Sequence, residues 1–153
     1  YSIVDAKIHT TRHDYALDSF VLLDAGGQRP YRDMIAFIDH DLCEHLIQQA
    51  PLVPPPKNRV SRQVRHMPLT PEVSIRTDES RRHSILSIAA IDRSGLLYDI
   101  SVILARHGIR LHTAKISTLG ERVEDTFLIS GAALEKTPTL IRLEQELLEA
   151  LHI

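Results

Sequence analysis

A chain of 153 residues has room for one ordinary domain or two small ones of about 70 residues each. With 43% hydrophobic and 25% charged residues it can bury a core, which excludes disorder, and a formal charge of −2 offers no global attraction to nucleic acid or an anionic membrane. Cys43, the single cysteine, excludes an intrachain disulfide, and no apolar run approaches the roughly 20 residues that span a bilayer, so the expectation is a cytoplasmic protein, neither exported nor anchored.

In chain order, residues 2 to 12 and 15 to 24 read as a hairpin. A helix follows over about 31 to 49, with Met34, Ile35, Ile38, Leu42 and Leu46 on one face. Pro51, Pro54, Pro55 and Pro56 end it and stiffen a linker. The basic stretch Lys57, Arg59, Arg62 and Arg65 lacks interleaved aromatics and reads as a solvated linker, with a partner-binding strip as the alternative. Residues 71 to 77 alternate like a strand, and 78 to 82 turn back toward the apolar run 84 to 91, which has the length and mixed faces of a central strand.

Asp92-Arg93-Ser94-Gly95 then turns the chain into a helix marked by Leu97, Ile100, Leu104 and His107, with Gly108 placed as the left-handed residue past its end. Residues 109 to 118 and 123 to 130 form a second hairpin around Gly120-Glu121-Arg122. Thr137 is placed to cap the closing helix, Pro138 suits its first position, and Leu140, Leu143, Leu147 and Leu151 mark its apolar face.

One unit occurs twice. Ala6-Lys7-Ile8-His9-Thr10 with Asp18-Ser19-Phe20-Val21-Leu22 parallels Ala114-Lys115-Ile116-Ser117-Thr118 with Asp125-Thr126-Phe127-Leu128-Ile129, and each copy precedes a proline-started amphipathic helix. The second copy is a whole strand-helix-strand-strand-helix module. The first lacks its opening strand and helix, which would leave its apolar face uncovered, so the sequence reads as cut from a longer protein. The expected organisation is a partial first module at 1–50, a linker at 51–70, a strand and turn at 71–82, and a second module at 83–153. A split βαβ layout sets the last strand antiparallel beside the first, and residues 71 to 77 could fill that place in either module; the short turn favours pairing with 84 to 91. The open apolar edge of strand 15–24 predicts association through residues 2 to 24, either as a dimer or by docking the first hairpin onto the second module's sheet.

The motif Asp92-Arg93-Ser94-Gly95-Leu96-Leu97 on a strand-to-helix turn, followed by Gly120-Glu121-Arg122-Val123-Glu124-Asp125-Thr126-Phe127, resembles the ACT domains, a family of amino-acid-sensing regulatory modules. With Asp5-Ala6-Lys7-Ile8-His9-Thr10-Thr11 and Tyr15-Ala16-Leu17-Asp18-Ser19-Phe20, nearly the whole chain is similar to the paired ACT region of bacterial nitrogen-regulation enzymes. The resemblance implies an α+β fold of tandem ferredoxin-like βαββαβ modules with antiparallel sheets. It also implies a sensor of free glutamine, coupled to upstream catalytic domains that use Mg to add and remove UMP on the PII signal protein.

Neither active site is expected in these residues, because clustered carboxylates on a glycine-rich scaffold and a His/Asp metal cluster are both missing, and His9, His13, His107 and His112 fall singly. No cofactor is expected here beyond glutamine as effector. The turn has its own logic as a ligand site. Backbone amides at Ser94, Gly95, Leu96 and Leu97 can hold a carboxylate at a helix start, Asp92 can meet an ammonium, and Gly95 permits close approach, with Arg93 in the same turn. The bland alternative makes Asp92 or Ser94 a helix cap and Gly95 a turn residue. Competing functions are a structural pairing module and a partner binder using the basic linker.

Overall fold

The computed structural model describes residues 2–24, 30–56, 69–79 and 82–152. The basic stretch Lys57, Arg59, Arg62 and Arg65 lies outside them. Six strands form one open antiparallel sheet with three helices: β1 (Ser2–Thr10), β2 (Ala16–Leu23), α1 (Tyr31–Ile47), β3 (Glu72–Thr77), β4 (Ser84–Ile91), α2 (Leu96–Arg106), β5 (Arg110–Leu119), β6 (Arg122–Ser130) and α3 (Thr137–Leu151).

The sheet order is β2-β1-β5-β6-β4-β3. Within it, β3-β4-β6-β5 is a split βαβ sheet in which β3 stands antiparallel beside β4, Val73 against Ile88 and Ile75 against Leu86. The short connection thus forms a direct hairpin, and β3 supplies the edge of this sheet beside β4. The β5–β6 turn is two residues, with Gly120 at φ +65, the left-handed conformation a tight hairpin requires.

Residues alternate across this sheet with period two. Leu86, Ile88 and Ala90 of β4, Val123, Phe127 and Ile129 of β6, and Ala114 and Ile116 of β5 share the core with Leu96, Ile100, Ile103 and Leu104 of α2 and Leu143, Leu147 and Leu151 of α3. Thr113, Lys115, Glu124 and Thr126 are exposed on the other face. The α2 stripe turns slightly from the expected one: Leu96 and Ile103 are buried, while Leu97 is half-buried. His107 Nε2 and Arg106 both reach Glu146, at 3.0 and 2.7 Å, tying α2 to α3. Helix α3 is not capped by Thr137, whose backbone is already helical; the N-cap is Lys136, with no side-chain cap bond.

The first hairpin docks on the second module's sheet through β1 and β5, the second of the two expected arrangements. Their register sets Lys7 opposite Lys115, with Ala6 opposite Ile116 and Ile8 opposite Ala114. Because Ala6-Lys7-Ile8 and Ala114-Lys115-Ile116 are equivalent positions of the repeat, the two copies meet about a local two-fold axis through the lysine pair. The cross-links obey the same symmetry: Thr10 Oγ1 donates to the Leu111 carbonyl at 3.2 Å, and Thr118 Oγ1 to the Ile3 carbonyl at 3.1 Å.

Away from that seam the first copy is thinly covered. β2 is an edge strand, and Leu17, Phe20, Val21 and Leu23 are exposed. Helix α1 ends at Ile47 rather than 49, and of its expected face only Met34 is buried, with Ile38 half-buried and Ile35, Leu42 and Leu46 exposed. Most of that stripe is therefore uncovered by the described residues, so amphipathic spacing alone does not bury it. The histidines are not all single: His83 and His112 stack edge to face with ring centroids 4.4 Å apart. No helix among the described residues is long and apolar enough to cross a membrane.

Candidate ligand site

After Ile91 the chain leaves the sheet through Asp92-Arg93-Ser94-Gly95. The Asp92 amide donates to the Glu121 carbonyl at 2.8 Å, pinning the turn to the β5–β6 hairpin. Arg93 donates to Asp99 Oδ2 and to the Ala150 carbonyl, both at 2.6 Å, and so clamps the turn to α2 and to the last turn of α3. Its guanidinium holds the turn in shape. Ser94 Oγ donates to the Pro56 carbonyl at 2.9 Å, bringing the proline linker against the turn.

Gly95 is the N-cap of α2, at φ +81 and with no side-chain cap bond, so neither Asp92 nor Ser94 serves as the cap. A Cβ on Gly95 would be strained in this left-handed conformation and would meet Pro55 Cγ at 2.9 Å. The Leu96 amide donates to the Arg93 carbonyl and the Asp99 amide to the Gly95 carbonyl. Among the described residues this leaves the amides of Leu97 and Tyr98, at the positive end of the helix, with no backbone carbonyl partner.

A cavity of about 470 Å³ opens at this turn, and all six expected residues, Asp92 through Leu97, line it. Its size is within the range of small-molecule sites. Tyr98 of α2 continues the wall, and other segments contribute Ser2 and Ile3 of β1, Pro55 of the linker, Ile116 and Thr118 of β5, and Val123 and Asp125 of β6. Both repeat copies therefore build one site.

Two carboxylates line the cavity. Burial raises the Asp92 pKa against a smaller opposing effect of the Arg93 amide. Burial pushes Asp125 up to about 6, opposed by the Ser117 amide that donates to its Oδ1 at 3.2 Å and reinforced by the negative charge of Asp92. Asp125 is only 2% exposed, and its Oδ2 has no hydrogen-bond partner among the described residues.

Asp125 was legible in outline, since an acid at an inward position between Val123 and Phe127 breaks the apolar alternation of β6. The contributions of Ser2, Ile3 and Pro55 had no local signal, because they depend on how distant segments dock. No group of three or more His, Cys, Asp or Glu that could hold a metal occurs among the described residues.

No protein-family model matches the sequence, and no solved structure matches it. Curated relatives do. The chain is 58% identical over 153 residues to the bifunctional uridylyltransferase/uridylyl-removing enzyme of Aromatoleum aromaticum, covering 100% of this chain and 18% of the relative. It is 52% identical to the protein of that name from Cupriavidus pinatubonensis and 48% identical to that from Nitrosospira multiformis, covering 18% and 17% of those relatives. The chain spans less than a fifth of the length of these relatives, and it corresponds to a region of the bifunctional uridylyltransferase/uridylyl-removing enzymes.

Proposed function

We propose that the cavity at the Asp92–Leu97 turn binds a free amino acid, glutamine by resemblance to the ACT family, and that the chain is a sensing region controlling uridylylation and deuridylylation of the cytoplasmic PII protein. The observation that carries this reading is the conjunction of opposite demands in one small cavity. The amides of Leu97 and Tyr98, without a backbone carbonyl partner among the described residues, suit a carboxylate, while Asp92 suits an ammonium. The catalytic chemistry, with its Mg, would belong to other regions of the parent enzyme, and this chain is expected neither to transfer UMP nor to remove it.

A thermal-shift panel of amino acids tests the reading. A ligand bound only by the folded chain raises the melting temperature, by a free energy of about 2.7 kcal/mol at a hundred times its dissociation constant. Glutamine should give such a shift, and a melting temperature unmoved by every amino acid would end the proposal. A second reading, a pairing module, is favoured by the exposed apolar residues of β2. It predicts a dimer by light scattering without ligand and protected amides over residues 16 to 23.

A further inference from the structure

The amino-acid reading leaves one buried group without a task. Asp125 stands between Val123 and Phe127 on the inward face of β6, 2% exposed, where an apolar residue would pack without cost. Its Oδ1 accepts one amide bond of 3.2 Å, its Oδ2 accepts none, and no salt bridge reaches it among the described residues. A carboxyl so placed carries a desolvation penalty that its protein neighbours do not offset. Arg93, the cation of the same cavity, is already held by Asp99 and the Ala150 carbonyl.

We propose that Asp125 is the specificity-determining residue of the cavity, its free Oδ2 accepting an N–H from the side-chain end of the ligand, so that the site takes amino acids ending in a neutral amide and rejects those ending in a carboxylate. The proposal rests on the amino-acid reading above. With the helix-start amides and Asp92 assigned to the ligand's α-carboxylate and ammonium, Asp125 of β6 is the lining carboxylate left to read the side chain. An amide nitrogen satisfies the empty acceptor. A second carboxylate there meets a like charge in a site of low dielectric and supplies no donor. Sites built around a polar contact of this kind discriminate far more strongly than apolar pockets do.

The test is isothermal titration of the full chain with glutamine, glutamate and norleucine at pH 7.5, comparing the unsubstituted protein with Asp125→Asn. Unsubstituted protein should favour glutamine over glutamate by at least about 100-fold. Asp125→Asn, which offers a donor and no charge, should bring the two within about tenfold, mainly by admitting glutamate. A variant that binds but keeps the original ratio overturns the proposal, as does a variant that weakens glutamine and norleucine equally, since that would place Asp125 at the ligand's ammonium. If no amino acid gives heat with the unsubstituted protein, the amino-acid reading falls and this one with it. Melting curves verify the fold of the variant, and Asp125→Ser supplies the same comparison should Asp125→Asn not fold.

Discussion

The two copies of the repeat present nearly the same residues to the same face of one sheet, yet only one of them has a core. Phe127 is 4% exposed and its counterpart Phe20 is 47% exposed; Ile129 is buried and Leu22 half-buried; Asp125 is sealed in and Asp18 exposed. Ala6 and Ala114 are the exception, buried alike because they lie at the β1–β5 seam. Periodicity selects strand and inward face, while the covering elements decide whether that face is worth anything to stability. Here α2 and α3 cover the second copy, and among the described residues no helix covers the first in the same way.

Matched substitutions should expose that asymmetry. Phe127→Ala should destabilise the chain by about 3 to 5 kcal/mol in urea unfolding, whereas Phe20→Ala should lower stability by less than about 1 kcal/mol. Equal losses would show that the first copy is as well packed as the second.

The buried aspartate of the second copy sharpens the same contrast through pH. A carboxyl whose folded pKa is raised from 3.8 to about 6 holds its proton longer in the folded chain than in the unfolded one. Its stabilising effect is complete below the unfolded pKa and is lost as pH rises from about 4 through 6, after which the curve is flat. The loss amounts to about 2 to 3 kcal/mol. Asp125→Asn should remove this step and raise stability at neutral pH, and a pH profile of the unfolding midpoint reads both.

Gly95→Ala should cost about 1 to 2 kcal/mol, from the left-handed backbone and the approach of Pro55, and should weaken ligand binding as the turn moves. Smallest of all, Arg122→Ala breaks only the exposed 2.9 Å pair with Glu124 and should change stability by less than about 0.5 kcal/mol.

Much of this architecture was written locally. The strand 84–91, the glycine turns at Gly108 and Gly120 and the leucine face of α3 depend on near neighbours, and each lies where its spacing predicts. The helix residues Ile35, Leu42 and Leu46 share one face by their spacing, and they are exposed because burial requires a partner that spacing does not specify. The same limit applied to the site. Asp92 through Leu97 form one continuous stretch whose place on a cavity wall follows from local sequence, but the cavity closes only when Ser2, Ile3 and Pro55 arrive from segments far along the chain. Asp125 lies between these cases, visible in β6 as a charge out of pattern, while its place beside the cavity is set by the fold.

Whether the turn after β4 binds an amino acid or serves only as a connection is decided by isothermal titration with glutamine of the unsubstituted chain and of Asp92→Ala. One saturable site is predicted in the unsubstituted protein, weakened by about 1.5 to 3 kcal/mol in the variant through loss of a charged hydrogen bond, with melting nearly unchanged. A folded variant that binds glutamine as tightly as the unsubstituted chain, or an unsubstituted chain that gives no heat, would contradict amino-acid binding at this turn.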